Sequence, residues 1–222
     1  MDAARLLNIR GCSITIPHKI DIIPLLDKTS ENVREMGACN TLYRDGEKIC
    51  GENTDVIGFT APLRKRSLPP ETRVLVLGAG GVSRAAIAGL RRLGLANITL
   101  TNRRKERAEA LCNEFGLLCA PWEERGDVPA DLIINTTPLG MTGAQEHETP
   151  YPWAFQDNGI AYDLIYTPFQ TRFLRDAAAA GWETVSGLDM FIGQGDAQFH
   201  LWTGHHLPRE AITAVTSTLY GQ

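Results

Sequence analysis

The feature that most constrains this chain is the segment RVLVLGAGGVSRAA at residues 73–86. A run of aliphatic residues ends in a glycine cluster, and a helical pattern begins at once. This order is typical of the strand, turn and helix that open a dinucleotide-binding βαβ unit. Gly78 permits the tight turn, while Gly80 and Gly81 let backbone amides approach a pyrophosphate. Although Ser83 replaces the third glycine of the usual fingerprint, the segment favours nucleotide binding over an ordinary tight turn.

The next predicted strand, at 97–101, indicates which nucleotide is bound. Where an acidic residue would hold the ribose 2′-hydroxyl of NAD, the chain has Asn102, Arg103 and Arg104, with Arg107 one turn later. A carboxylate there would repel a 2′-phosphate, whereas guanidinium groups bind one through paired hydrogen bonds. A solvated basic helix start is the alternative, but cations at a helix N-terminus oppose its dipole. We therefore expect NADP rather than NAD.

Composition excludes several classes of protein. The 222 residues are 43% hydrophobic and 22% charged, with a net charge of −4, so no basic excess suggests a nucleic-acid partner. No stretch reaches membrane-spanning length, and the first residues carry no long apolar leader, so we expect no membrane association. The odd number of cysteines, five, has no CxxC spacing, which favours reduced thiols in a cytoplasmic protein. The histidines lack zinc-ligand spacing, so no metal site is expected.

Strands and helices alternate from residue 73 to residue 186. Strands are predicted near 73–77, 97–101, 117–120, 131–135, 160–164 and 182–185, and helices near 82–93, 103–114 and 170–180. Such alternation predicts an α/β fold with a doubly wound parallel sheet of the Rossmann type, covered on both faces.

The flanking segments predict a second, smaller α/β domain. The elements expected are a strand at 13–16, helices at 20–26, 30–35 and 56–65, a hairpin of strands 41–43 and 48–51, and helices at 188–202 and 209–220. The last two helices have no further strand of the nucleotide sheet to follow, so we expect them to pack on the amino-terminal segment. The predicted domains are 1–57 with 189–222, and 58–188.

Two separate residues could carry acid–base chemistry. Lys19 follows a proline at a strand end, and Asp55 lies in the first turn of a predicted helix, capped by Asn53 or Thr54. An amine and a carboxylate that face one hydroxyl could move its proton while a nicotinamide accepts hydride. A lone lysine and a lone aspartate are more often surface residues, and the sequence alone does not show that they meet.

Eight motifs, in order and spacing, resemble those of the shikimate dehydrogenase family. They are TIPHK (15–19), GACNT (37–41), ENTD (52–55), GAGGVSRA (78–85), NRRKER (102–107), NTTPLGM (135–141), DLIY (163–166) and GLDMFIGQGDAQFHLWTG (187–204). The resemblance implies reversible, NADP-dependent oxidation of shikimate to 3-dehydroshikimate, a step of the chorismate pathway in aromatic amino acid biosynthesis. It also implies a cytoplasmic enzyme that is a monomer or a homodimer and acts on a small molecule.

The same resemblance implies roles for individual residues. Lys19 and Asp55 would be the catalytic pair. Substrate contacts would come from Ser13, Thr15, Asn40, Tyr166 and Gln194. Cofactor contacts would come from Gly78, Ala79, Gly80, Gly81, Val82, Asn102, Arg103, Arg107, Thr136, Thr137, Pro138, Gly187 and Met190.

Two departures from the family pattern leave alternatives open. The family normally has a longer amino-terminal segment with two serines that bind the substrate carboxylate, so we expect an N-terminally shortened substrate domain. Ser13 also stands where the family usually has asparagine. We therefore expect intact NADP binding with weak shikimate oxidation. The alternatives are a dehydrogenase that acts on quinate or another hydroxy acid, and a non-catalytic NADP-binding remnant.

Overall fold

The computed structural model describes residues 2–15 and 17–220. Its helices are α1 Asp2–Leu6, α2 Glu31–Met36, α3 Thr54–Arg64, α4 Gly81–Arg92, α5 Lys105–Phe115, α6 Arg172–Ala179, α7 Gly187–Thr203 and α8 Arg209–Tyr220. Its strands are β1 Gly11–Ser13, β2 Lys28–Thr29, β3 Thr41–Asp45, β4 Lys48–Glu52, β5 Val74–Leu77, β6 Ile98–Thr101, β7 Leu118–Cys119, β8 Leu132–Asn135, β9 Ile160–Asp163 and β10 Glu183–Val185. The chain forms two compact units, Met1–Phe59 with Ile192–Gln222, and Thr60–Phe191.

The unit Thr60–Phe191 contains a six-stranded sheet in the order β10-β9-β8-β5-β6-β7, with every neighbouring pair parallel. The chain starts at the central strand β5 and winds outward first to one side and then to the other. Strands β5 and β8 are buried along their whole length, as expected for a parallel sheet covered on both faces. The predicted doubly wound α/β fold is confirmed, and it places a ligand crevice at the carboxyl ends of β5 and β8.

Aliphatic and aromatic side chains form the core on one face of this sheet. Leu75 and Leu77 of β5 lie in a cluster with Phe173 of α6 and with Trp182, which is 6% exposed. The half-buried Phe155 packs on both aromatic rings, with centroid distances of 5.7 Å to Phe173 and 5.0 Å to Trp182. This packing fixes α6 against the sheet, because each buried aromatic ring removes a large apolar area from water.

The other unit contains a four-stranded sheet in the order β1-β3-β4-β2. Strands β3 and β4 form the expected antiparallel hairpin, β1 pairs antiparallel with β3, and β2 pairs parallel with β4. The carboxyl-terminal part of α7 packs on this sheet, where Trp202 donates its indole N–H to the Leu42 carbonyl at 2.8 Å. Gly11 lies against the same indole, which a side chain at position 11 would strike. The smaller domain is therefore completed by the carboxyl-terminal helices, as predicted.

Local structure before α2 differs from the sequence expectation. The strand predicted at 13–16 lies two residues earlier, at Gly11–Ser13, and Ile16 is outside the described residues. The helix predicted at 20–26 is a series of turns ending in one 3₁₀ turn, Ile23–Leu25, that contains Pro24. Proline removes a backbone donor and fixes φ, so it prevents a regular helix there. The short elements α1 and β2 were not predicted.

The basic segment after β6 also differs from expectation. The helix predicted from residue 103 begins at Lys105, with extended Arg104 as its N-cap residue. The Asn102 side chain donates to the Arg104 carbonyl at 2.8 Å and so shapes the preceding loop. Arg103 and Arg104 therefore lie in a loop at the carboxyl end of β6 and not in the first turn of the helix. In the described part of the chain, no helix is long and apolar enough to cross a membrane.

Candidate active site

Lys19 and Asp55 form an ion pair. Lys19 Nζ donates to Asp55 Oδ2 at 2.8 Å, although the residues are 36 positions apart. Their side chains keep 27% and 22% of their accessible surface. A pair that is partly buried but still reachable from solvent can hold a proton and meet a ligand.

The position of Asp55 follows from the start of α3. Asn53 Oδ1 accepts from the Asp55 backbone N–H at 3.1 Å, so of the two expected caps Asn53 acts as the cap. Its own amide donates to the Ala38 carbonyl at 2.9 Å, which anchors the cap to the loop before β3. In the first turn, the positive end of the helix dipole stabilises the Asp55 carboxylate.

Asn40 links the ion pair to the sheet. Its Nδ2 donates to Asp55 Oδ1 at 2.8 Å, and its Oδ1 accepts from the Thr54 backbone N–H at 2.8 Å. The Cys39 N–H donates to the Lys19 carbonyl at 2.7 Å, so the neighbouring residue holds the lysine backbone. Both Asp55 oxygens thus accept a hydrogen bond, one from an ammonium and one from an amide.

The structure brings two other predicted residues toward this pair. The Thr54 hydroxyl lies 3.5 Å from Gln194 Oε1, so α7 contacts the start of α3. Ser13 donates its hydroxyl to Gln198 Oε1 at 2.8 Å. Gln198 was missed by the sequence reasoning, because a glutamine four residues after Gln194 carries no pattern that separates it from an exposed helix residue. Thr15 is exposed in the turn after β1.

Three predicted residues belong to the other compact unit. Tyr166 stacks on Phe191 with ring centroids 5.0 Å apart and planes 22° apart. Gly187 begins α7, and its N–H donates to the Ile165 carbonyl at 3.2 Å. Met190 is 8% exposed. These residues therefore lie in the segment after β9 and in the first turn of α7.

A cavity of about 260 Å³ opens at the carboxyl ends of β5, β6 and β8. Nine predicted cofactor residues line it, namely Gly78, Ala79, Gly80, Asn102, Arg103, Arg107, Thr136, Thr137 and Pro138. Arg104 of the predicted basic segment also lines it, together with Trp122, Leu139 and Gln145, which were not predicted. Gly81 and Val82 begin α4 instead.

The floor of this cavity requires glycine at residue 78. Gly78 has a φ of +112°, and a Cβ there would lie 2.5 Å from Thr136 Oγ1. Ser83 accepts from the Gly80 N–H at 3.0 Å and contacts Thr136 Oγ1 at 2.7 Å. The serine in place of the third glycine therefore ties the glycine turn to the loop after β8.

The charges in the cavity fit a phosphorylated ribose. Arg103, Arg104 and Arg107 are exposed on its rim, and the described lining residues include no carboxylate. Asn102 Oδ1 accepts from the Ala79 N–H at 3.3 Å, which joins the glycine turn to the basic loop. The residues present thus fit NADP: a helix N-terminus and glycine turn for the pyrophosphate, and guanidinium groups for the 2′-phosphate.

Trp122 is held at the cavity by Arg125. The Arg125 guanidinium lies 3.6 Å from the Trp122 ring centroid and 4.5 Å from that of Trp153. It donates to the Pro150 carbonyl at 2.6 Å and to the Trp122 carbonyl. Burial between the rings lowers the pKa of Arg125 to about 10, so the side chain stays charged at neutral pH. Trp122 itself is half-buried and lines the cavity.

A buried carboxylate supports the loop after β8. Asp163 Oδ1 accepts from the Asn135 amide at 3.0 Å, and Asp163 Oδ2 accepts from the Thr171 hydroxyl at 2.6 Å. Asn135 Oδ1 in turn accepts from the Thr137 N–H at 2.9 Å. Burial raises the pKa of Asp163 to about 6, although these hydrogen bonds lower it. The strand ends β8 and β9 therefore share one polar network under the cavity.

Comparison with known proteins identifies three matching segments of the chain. The shikimate dehydrogenase substrate binding domain matches residues 1–42, the shikimate / quinate 5-dehydrogenase family matches 63–124, and the shikimate 5'-dehydrogenase C-terminal domain matches 187–215. The shikimate dehydrogenase (NADP(+)) of Pelobacter propionicus is 54% identical over 224 residues, which cover 99% of this chain and 80% of that protein.

Solved structures share the fold. The shikimate 5-dehydrogenase-like protein HI0607 superposes with a TM-score of 0.91 at 29% identity, over 97% of this chain and 80% of that one. The shikimate 5-dehydrogenase of Thermus thermophilus in complex with NADP(H) and shikimate superposes with a TM-score of 0.84 at 36% identity, over 97% of this chain and 81% of that one.

Proposed function

Because the chain belongs to the shikimate dehydrogenase family, we propose that it catalyses the reversible, NADP-dependent oxidation of shikimate to 3-dehydroshikimate. The observation that carries this proposal is the ion pair of Lys19 and Asp55, joined by the Asn40 amide. Oxidation of a secondary alcohol removes one hydride and one proton. NADP, when bound, supplies the hydride acceptor, so the protein has to manage the proton.

The Lys19–Asp55 pair transfers this proton. An ammonium has three N–H bonds, and the one that Lys19 donates to Asp55 leaves two for substrate oxygens. In the reduction direction the Lys19 ammonium donates a proton to the carbonyl oxygen and becomes a neutral amine. In the oxidation direction that amine accepts the hydroxyl proton and becomes the ammonium again. Asp55 balances the lysine charge and orients Nζ, while Asn40 holds Asp55 in place.

We assign cofactor binding to the cavity in Thr60–Phe191. Arg103, Arg104 and Arg107 would hold the 2′-phosphate, and Gly78 to Gly80 would lie along the pyrophosphate. Substrate contacts by Ser13, Thr15, Asn40, Tyr166 and Gln194, and nicotinamide contacts by Gly187 and Met190, remain predictions. So do the domain ranges 1–57 with 189–222 and 58–188.

We also propose a cytoplasmic enzyme of aromatic amino acid biosynthesis. Free thiols at all five cysteines suit a reducing compartment. A monomer or a homodimer is expected, and sedimentation equilibrium at several protein concentrations distinguishes the two.

A steady-state assay tests the function directly. Shikimate and quinate are each assayed with NADP and with NAD. We expect the highest kcat/KM for shikimate with NADP. A higher kcat/KM for quinate would identify the enzyme as a quinate dehydrogenase, and NADP binding without turnover of either acid would identify a non-catalytic binder.

A further inference from the structure

Gln198 lies behind the Lys19–Asp55 pair and is 6% exposed. It is carried by α7, and its amide contacts three groups of the four-stranded sheet. Oε1 accepts from the Ser13 hydroxyl at 2.8 Å. Nε2 donates to the Thr41 hydroxyl at 3.0 Å and lies 3.5 Å from the Asn40 carbonyl oxygen. One buried side chain therefore joins α7 to β1 and to the start of β3.

The orientation of this amide follows from the acceptor next to it. A backbone carbonyl only accepts hydrogen bonds, so the NH₂ group of Gln198 must face the Asn40 carbonyl and Thr41. The Thr41 hydroxyl then receives a hydrogen bond from Gln198 and has one proton to donate. It donates that proton to Asn40 Oδ1 at 2.7 Å.

The same reasoning applies to Asn40. Its Oδ1 receives hydrogen bonds from the Thr41 hydroxyl and from the Thr54 backbone N–H. Its Nδ2 is thereby turned toward Asp55 Oδ1. A continuous chain of hydrogen bonds runs from Ser13 through Gln198, Thr41 and Asn40 to Asp55, and each link has one defined donor.

We propose that Gln198 is a positioning residue, which acts through the Thr41 hydroxyl to hold the Asn40 amide against the Asp55 carboxylate. Its kinetic consequence rests on the proposed function, whereas the chain of contacts can be observed without turnover. The arrangement also fixes whether Ser13 donates or accepts in its hydrogen bonds. Its only proton is donated inside the protein, so toward a ligand Ser13 offers lone pairs and accepts from a hydroxyl.

Kinetics of single and double variants test the coupling. Gln198→Leu and Thr41→Val each remove two hydrogen bonds of the chain while keeping side-chain size, and both remove the bond between residues 198 and 41. We expect each to lower kcat about tenfold, as for the loss of one hydrogen bond, with KM for shikimate changed less than about threefold. Because both act on the same link, the double variant should also lose about tenfold rather than about a hundredfold. Thr41→Ser keeps the hydroxyl and should retain kcat.

The matched control is Gln156→Leu, the same substitution at an exposed position of the other unit. It should leave kcat unchanged. Multiplying losses in the double variant, or an unchanged kcat in Gln198→Leu, would overturn the proposal. A purely structural role would lower the melting temperature and would not make Thr41→Ser and Thr41→Val differ in kcat.

Nuclear magnetic resonance tests the chain of contacts independently of activity. The side-chain amide protons of Asn40 should exchange slowly with water in the wild type and faster in Gln198→Leu and in the isosteric Gln198→Glu, with those of Asn158 as the control. Equal exchange rates in all three proteins would refute the positioning role. If the wild type did not oxidise shikimate, the proposed function would fail while this measurement still decided the role of Gln198.

Discussion

Lys19 Nζ lies 2.8 Å from Asp55 Oδ2, and the two residues come from the turn after β1 and the first turn of α3. The pair is held on both sides, since Cys39 binds the lysine backbone and Asn40 binds the second carboxylate oxygen. Exposure of about a quarter of each side chain leaves the pair within reach of a ligand.

The first prediction concerns Lys19. Lys19→Met should lower kcat by roughly 100- to 10,000-fold, the range for losing general acid–base catalysis, and leave NADP binding unchanged. Steady-state kinetics and fluorescence titration with NADP measure the two effects. Lys65→Met, at an exposed lysine just after α3, is the control and should change neither. An effect confined to KM would mean that Lys19 only binds substrate.

The second prediction concerns cofactor choice. Arg103→Ala and Arg107→Ala should each weaken NADP binding by about 1.5–3 kcal/mol, the range for a hydrogen bond to a charged group, and barely change NAD binding. Isothermal titration calorimetry with both nucleotides measures the difference. Arg209→Ala, at an exposed residue of α8, is the control. Tighter binding of NAD than NADP by the wild type would contradict the assignment of the basic loop.

The third prediction concerns pH and stability. Burial raises the pKa of Asp163 from 3.8 to about 6, so the folded state binds this proton more tightly than the unfolded state. The stability contributed by the protonated group is therefore present below about pH 4 and is lost as the pH rises through about 6. The shift of about 2 units corresponds to about 3 kcal/mol.

Asp163→Asn removes this titration. The free energy of unfolding of the wild type minus that of the variant should fall by about 2.4 kcal/mol between pH 4 and pH 7, as measured by urea unfolding. Asp21→Asn, at an exposed aspartate, is the control and should show no such fall. A difference that rises with pH would show that the network favours the ionised carboxylate.

The fourth prediction concerns Ser83. Thr136 donates its hydroxyl to the Leu77 carbonyl at 2.8 Å, so in its contact with Ser83 the serine is the donor. Ser83→Ala removes this bond and the acceptor of the Gly80 N–H, and it should destabilise the protein by about 1–3 kcal/mol. Urea unfolding measures the cost, with Ser217→Ala in α8 as the control. A variant as stable as the wild type would mean that the glycine turn holds without this tie.

Much of the nucleotide-binding unit could be predicted because its signals are local. Each strand of the parallel sheet is a short apolar run followed by a helical period, and the pattern repeats along the chain. The glycine turn and Arg103 follow directly after strands, and the carboxyl ends of parallel strands meet at one edge. Nine of the predicted cofactor residues therefore line one cavity. Trp122 escaped prediction because its half-buried position depends on Arg125 and Trp153, which no local pattern reveals.

By itself, the sequence determined the α/β class, the doubly wound sheet, the family and the preference for NADP, since all four depend on residues close together in the chain. Only the tertiary structure decided which polar groups meet. Ser13 and Gln198 are 185 positions apart, and Thr41 and Gln198 are 157 apart, yet their hydrogen bonds support the Asn40–Asp55 contact. The short strand β2 likewise depends on a distant partner, since it pairs with β4. Hydrogen-bond partners at such separations are chosen by packing, which local propensity does not encode.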